Sequence, residues 1–216
     1  MSEPGLHLYH FEPRVGSLGP GLRCGLWVQG CSLGCPGCLV PDSHDPEGGK
    51  SVPVSELVET IMALDDIEGI TVSGGEPFEQ ALALSGLLSA LRRARPDLSV
   101  MLYSGYTRRA IERKALHRQI LTLADILVSG PFIERQAQPD AWRGSANQEI
   151  HFLTDRHARE EVPLADGELE FVFRPGGGFF MVGIPPRKLW RRLTRRLRQR
   201  CSETPKGLVI SKEGAP

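Results

Sequence analysis

The chain has 216 residues, 40% of them hydrophobic and 24% charged, enough to bury one substantial core with at most a small appendage. Its 26 basic and 26 acidic side chains cancel, so no global field draws it to nucleic acid or an anionic membrane, and no apolar run approaches the roughly 20 residues of a membrane span. Met1-Ser2-Glu3-Pro4-Gly5 has neither a basic nor an apolar leader region, and four of the five cysteines crowd between Cys24 and Cys38, which suits a metal site better than a disulfide framework; a cytoplasmic protein is expected.

Leu6, Leu8 and Tyr9, with His7 and His10 as polar positions, predict a short first strand, and Pro13 to Gly21 reads as turns. Gly19-Pro20-Gly21-Leu22-Arg23 leads into Cys24-Gly25-Leu26-Trp27-Val28, a buried strand that ends at Gly30-Cys31-Ser32-Leu33-Gly34-Cys35-Pro36-Gly37-Cys38. Here three cysteines stand at C-x3-C-x2-C spacing, among glycines and a proline that forbid a helix and let the backbone curl, so the loop points three thiols at one object. A structural zinc wants four ligands, usually as two separated pairs, and no second pair follows. Three thiolates suit a [4Fe-4S] cluster that leaves its fourth iron open. Cys24 has two readings. As a fourth ligand it would close the cluster and make the protein a non-catalytic electron carrier or scaffold; as a small strand residue it is core, and it would have to leave the pleat to reach a cluster. His44 either lines the site or is a solvated loop residue, and Cys201 reads as a bystander.

Ser55 is expected to cap a helix running to about Leu64, and Ile67 to Val72 reads as the second strand. That strand ends in Ser73-Gly74-Gly75-Glu76-Pro77, where two glycines let a ligand approach the backbone and the Glu76 carboxylate can accept from a cationic amine; the bland alternative is a tight turn into a helix. Phe78 to Arg95 predicts a helix closed by Pro96, and Leu98 to Tyr103 a third strand followed by Ser104-Gly105-Tyr106. Tyr103 and Tyr106 read either as ligand contacts or as core and rim aromatics. A helical stretch from Arg108 to about Leu123, with a break near Lys114 to His117, precedes a fourth strand and its exit, Asp125 to Phe132. In Trp142-Arg143-Gly144-Ser145-Ala146-Asn147-Gln148-Glu149-Ile150, an arginine, a serine and two amides near a glycine turn can bind a carboxylate and hydroxyls, or the loop can be held by its own side-chain hydrogen bonds.

Glu168 to Phe173 alternates at period two, Pro175-Gly176-Gly177-Gly178 turns, and Phe179 to Val182 returns: a β-hairpin. A basic helix follows from Arg187 to about Arg200, with Leu189, Trp190, Leu193 and Leu197 as an apolar stripe among arginines that include Arg191, Arg192 and Arg198. It reads either as a docking surface for an acidic partner or RNA, or as a solvated surface helix. The tail from Ser202 is expected to be flexible.

Four of these blocks resemble one family. C-x3-C-x2-C is the signature of radical S-adenosylmethionine (SAM) enzymes, and the glycine turn resembles their G-G-E motif. Cys35-Pro36-Gly37-Cys38, Tyr103-Ser104-Gly105-Tyr106 and the segment from Trp142 to Ile150 are similar to C-P-G-C, W/Y-T/S-G-Y and W-R-G-S-x-N-Q-x-I of anaerobic ribonucleotide reductase activating proteins. Three positions depart from that pattern: Leu18 stands where the family has an acid, Leu39 where it has asparagine, and Ser129 where it has aspartate. The resemblance implies an α/β fold, an incomplete (β/α) TIM-like barrel over residues 1–165, with the C-terminal hairpin, basic helix and tail in 166–216. It implies a [4Fe-4S] cluster on Cys31, Cys35 and Cys38, and SAM seated by Ser73, Gly74, Gly75 and Glu76, with Ser104, Arg143 and Asn147 as weaker contacts. Reductive cleavage of SAM to a 5′-deoxyadenosyl radical would then generate a glycyl radical on a partner enzyme such as an anaerobic ribonucleotide reductase, with a flavodoxin- or ferredoxin-type reductant. The alternative within the superfamily is modification of a small molecule or peptide by a diverged relative.

Overall fold

The computed structural model describes residues 3–137, 140, 142–157, 168–175, 179–200 and 209–210. Seven strands form one mixed sheet: β1 (Gly5–Val15), β2 (Arg23–Val28), β3 (Lys50–Pro53), β4 (Gly69–Gly74), β5 (Ser99–Ser104), β6 (Ile126–Ser129) and β7 (Glu149–Phe152), in the order β3-β1-β2-β4-β5-β6-β7. The central four, β2, β4, β5 and β6, run parallel, with β1 and β7 antiparallel on their flanks. The expected α/β class is present. The sheet is open and does not close into a barrel, since β3 and β7 stand at its two ends.

Period-two alternation sorts the two faces. Cys24, Leu26 and Val28 of β2 point with Ile70, Val72, Val100 and Leu102 into the main core, against helices α1 (Val54–Met62), α2 (Ala81–Ala94) and α4 (Ala115–Leu121). Trp27, Met101, Ile126 and Val128 point to the other face, where smaller apolar clusters form. Because the parallel strands all end on the same edge, the loops after β2, β4 and β5 gather there. At the opposite edge, buried Arg23 donates to Thr71 Oγ1 (2.8 Å), Ser99 Oγ (2.6 Å) and the carbonyls of Pro20 (2.8 Å) and Ile70 (2.7 Å), which fixes the glycine-rich turn before β2 to the sheet.

Several elements differ from the sequence expectation. The first strand continues through Pro13 to Val15, because its ladder with β2 shifts register between Glu12 and Val15 and a residue without an N–H is tolerated at such an irregularity. Ser55 lies inside α1 and bonds Glu3 through both its N–H and hydroxyl; Pro53 occupies the cap. The helix expected from Phe78 starts as a 3₁₀ turn, Pro77–Gln80, before α2. The expected break separates α3 (Arg108–Ile111) from α4.

The hairpin forms as β8 (Leu169–Phe173) and β9 (Phe179–Gly183), followed by α5 (Arg187–Arg200) and β10 (Val209–Ile210). β10 pairs with β9, so part of the tail expected to be flexible is a strand. The turn glycines 176–178, Cys201 and the rest of the tail lie outside the described residues, as do the side chains of Arg191, Leu197 and Arg198. The hairpin is anchored on the sheet at three places. Glu170 accepts from the N–H groups of Gly16 (2.9 Å) and Ser17 (3.3 Å), Arg174 pairs with buried Glu12 (2.6 Å), and Phe180 stacks on His10 with its ring 3.7 Å away and meets Trp27 edge-on.

Candidate functional site

The cysteine loop leaves β2 at Val28 and is held at its base by backbone bonds from Gly30 N–H to Ser43 (2.8 Å) and from Cys31 N–H to His44 (3.2 Å). Gly34 and Gly37 take left-handed φ of 57° and 75°, which lets the loop turn twice between the cysteines. Cys31, Cys35 and Cys38 are free thiols lining one cavity. Amides are aimed at the sulfurs: those of Leu33 and Gly34 at Cys31, and that of Val40 at Cys38 Sγ (3.4 Å). Burial raises the Cys31 thiol, with those amides opposing it, and pushes Cys38 up to about 11 despite Val40, the neighbouring thiolates adding to the rise. These are thiols that a nearby cation would convert to thiolates. Among the described residues no three side chains of His, Cys, Asp or Glu stand close enough to share one metal ion.

The second wall is the end of β4. Gly75 N–H donates to Val28 (2.7 Å) and Glu76 N–H to Gly30 (2.9 Å), locking the glycine turn against the base of the cysteine loop. A Cβ on Gly75 would lie 2.2 Å from the Gly30 carbonyl oxygen, so only glycine permits this approach. Glu76 is fully buried, and its carboxylate accepts from Phe78 N–H (3.0 Å), Ser104 Oγ–H (2.9 Å) and Gly105 N–H (2.8 Å). Burial pushes it up to about 7, with those three donors opposing the rise. Thus the acid borders the cavity while tying β4 to β5. Glu79 adds a further tie, accepting from Ser32 N–H (3.1 Å), the Ser32 hydroxyl and the Tyr106 hydroxyl (2.8 Å), so the cysteine loop is pinned to the turn after β5.

Ser73, Gly74, Gly75, Glu76 and Ser104 all line the cavity that holds the three cysteines. Arg143 and Asn147 do not. Arg143 is held by Asp140 (2.6 Å), and Asn147 donates to the Pro131 carbonyl (2.8 Å) while its Oδ1 is buried without a partner. From the same segment Gly144 and Gln148 reach the cavity instead. Gln148 Oε1 accepts from Gly144 N–H (2.9 Å) and its amide donates to Gly130 (3.1 Å), so the segment is braced by its own side chains. Cys24 is fully buried in the main core and does not line the cavity. His44 and Tyr103 do line it, as do Leu18 and Leu39, whereas Ser129 bonds His151 (2.9 Å) outside it. Sequence reasoning missed two contributors, Glu79 and the hairpin strand β9, whose Phe180 to Gly183, with Ile184 just after the strand, form the remaining wall.

A model described as a 4Fe-4S single cluster domain matches residues 17–151, which include every element of this site except β9. The anaerobic ribonucleoside-triphosphate reductase-activating protein of Vibrio cholerae is 37% identical over 145 residues, covering 63% of this chain and 91% of that protein. The protein of the same description from Escherichia coli K12 is 32% identical over 142 residues, covering 62% of this chain and 91% of that protein. The chain belongs to this family. As an activating enzyme of the radical SAM superfamily it has the iron–sulfur domain that the three-cysteine loop anticipated. Relative to the matched domain, this family member carries β8, β9, α5 and β10 in addition. Among the described residues no helix is long and apolar enough to cross a membrane.

Proposed function

We propose that this chain holds a [4Fe-4S] cluster on Cys31, Cys35 and Cys38, reductively cleaves SAM beside it, and thereby generates a glycyl radical on a partner enzyme, an anaerobic ribonucleotide reductase. The observation that carries the reading is that the three cysteines and the Gly74-Gly75-Glu76 turn line one cavity at the carboxyl edge of parallel strands. A [4Fe-4S] cluster held there would supply the one electron needed for reductive cleavage of SAM to methionine and a 5′-deoxyadenosyl radical, which would take the hydrogen atom from the acceptor.

This chain's own groups do the positioning. The N–H groups of Leu33, Gly34 and Val40 stabilise thiolate sulfur at Cys31 and Cys38. The glycine turn lets the end of β4 pack against the base of the cysteine loop, because a Cβ on Gly74 or Gly75 would run into the Val28 or Gly30 backbone, and so sets the turn beside the cysteines where the methionine end of SAM would meet it. Glu76 supplies negative charge for the ammonium of SAM, which would draw the carboxyl back toward its ionised form. Ser104 holds Glu76 in place, and Arg143 and Asn147 act by shaping the loop that presents Gly144 and Gln148. Residues 1–165, which carry the open α/β sheet of the radical SAM core, supply the cluster and SAM residues, and 166–216 are an appendage whose strand β9 adds one wall of the cavity. A flavodoxin- or ferredoxin-type protein of the cytoplasm is the reductant.

The test is anaerobic reconstitution with iron and sulfide, reduction, and incubation with SAM, following 5′-deoxyadenosine by chromatography. The expected product disappears in Cys31→Ala, Cys35→Ala and Cys38→Ala and persists in Cys24→Ala. A cluster that assembles without cleaving SAM, and is lost in Cys24→Ala, would replace this reading with the four-cysteine electron carrier.

A further inference from the structure

We infer that strand β9 of the C-terminal hairpin is the specificity wall of the site, against which the hydrogen-donating segment of the partner lies, and that it selects a segment whose side chains next to the acceptor glycine are uncharged. The inference rests on the radical chemistry proposed above and adds to it the element that chooses the acceptor.

The hairpin lies outside residues 17–151, so the matched domain does not account for it. It is not a loose extension. Three anchors fix it to the sheet: Glu170 on the Gly16-Ser17 turn, Arg174 on buried Glu12, and Phe180 between His10 and Trp27. Each joins positions more than 150 residues apart in sequence, or packs aromatic rings from β1, β2 and β9 into one cluster. A strand held this firmly presents a fixed surface, and that surface is part of the reactive cavity, because Phe180, Met181, Val182, Gly183 and Ile184 line it together with the three cysteines.

The chemistry of the wall follows from its composition. Among the described residues lining the cavity, Glu76 is the one carboxylate, and no Lys or Arg is present. Glu76 stands on the β4 side, already engaged with three donors. The β9 side offers Phe180, Val182 and, just after the strand, Ile184, and Leu18, Trp27 and Leu39 line the same cavity. A charged side chain placed there would lose water and meet no countercharge among the described residues of this wall, whereas a small uncharged one would not need one. Leu18, one of the departures from the family pattern, thus becomes intelligible. Leu18 packs in the same cluster as Phe180 and Val182, and an acid at that position would be buried under the hairpin. The hydrogen transfer itself balances without a further reagent: the glycine Cα–H bond breaks homolytically, the hydrogen atom bonds to the 5′ carbon, and 5′-deoxyadenosine and a Cα radical result.

The experiment uses the full-length reconstituted chain and three synthetic peptides with a central dideuterated glycine, flanked by alanine and valine, by glutamate, or by lysine. Deuterium appearing in 5′-deoxyadenosine is read by mass spectrometry. The wild-type chain is expected to take deuterium from the uncharged peptide at least about tenfold faster than from either charged one. In Ile184→Lys the glutamate peptide should overtake the lysine peptide, each rate being taken relative to that variant's own 5′-deoxyadenosine formation without peptide. Reversal of a charge preference is not something a damaged fold produces, and Phe180→Leu, which keeps the anchor apolar, should leave the ranking as in wild type. Equal transfer from all three peptides, no transfer from any, or an unchanged ranking in Ile184→Lys would overturn the inference while leaving SAM cleavage standing. Absence of 5′-deoxyadenosine in every sample would overturn the cleavage reading and the inference with it.

Discussion

Glu76 offers a prediction whose size follows from its surroundings. Fully buried, its carboxyl rises from an ordinary 4.5 to about 7 because burial outweighs the donors Phe78, Ser104 and Gly105. An acid whose folded value is raised binds more protons in the folded state than in the unfolded state between those two values, so its contribution to stability is present below the unfolded value and is lost as pH rises through the folded one. Two and a half units at about 1.4 kcal/mol each give a loss on the order of 3 kcal/mol between pH 4.5 and pH 8 in the cluster-free protein. Glu76→Gln, which cannot ionise, should not share that loss. Urea unfolding of the reduced apoprotein at half-unit steps of pH measures it: the stability of Glu76→Gln relative to wild type should climb steadily across that range and level off above it. Parallel curves for the two proteins would refute the reasoning, because they would mean that Glu76 is ionised in the fold at no cost. Cationic SAM should couple in the opposite sense, binding more tightly as pH rises through about 7, and Glu76→Gln should flatten that dependence.

Gly75→Ala forces a methyl against the Gly30 carbonyl oxygen, and a destabilisation of about 2 kcal/mol with reduced iron uptake on reconstitution is expected, measured by urea titration and iron assay. Cys24, whose thiol burial pushes up to about 12, should be replaceable by alanine at about 1 kcal/mol with its cluster spectrum unchanged; loss of the spectrum would reinstate it as a ligand. Burial would raise Asp125, but Arg92 (2.5 Å), the Val100 amide (2.8 Å) and Thr154 (2.7 Å) hold it below its usual range, so its stabilisation is full above pH 4 and lost as pH falls further. Asp125→Ala should therefore cost about 3 kcal/mol at neutral pH, with the difference from wild type shrinking in acid-unfolding curves.

The central strands were legible because each is a short apolar run closed by glycine or serine, and the order of motifs along them already grouped the cysteines with the Gly-Gly-Glu turn. The edge strands were not. Lys50 to Pro53 shows little apolar alternation and is a strand because β1 pairs with it, and Glu149 to Phe152 is one because β6 does. Local reasoning also misplaced Ser55, whose partner is Glu3, 52 residues away. Arg143 and Asn147 carry ligand-binding chemistry, but in the folded loop Arg143 is engaged by Asp140 and Asn147 by the Pro131 carbonyl, and neither lines the cavity. The hairpin itself was readable from its alternation. Its position over the cysteines was not, because that depends on Glu170 finding Ser17 and Arg174 finding Glu12 across the length of the chain.

The most direct test of the account is electron paramagnetic resonance of the reconstituted, reduced protein before and after SAM is added. With three cysteine ligands and one iron left open, SAM should bind that iron, change the g-values and line shape of the reduced cluster, and do so equally in Cys24→Ala. A spectrum indifferent to SAM would contradict the claim that this cavity brings an open cluster and SAM together.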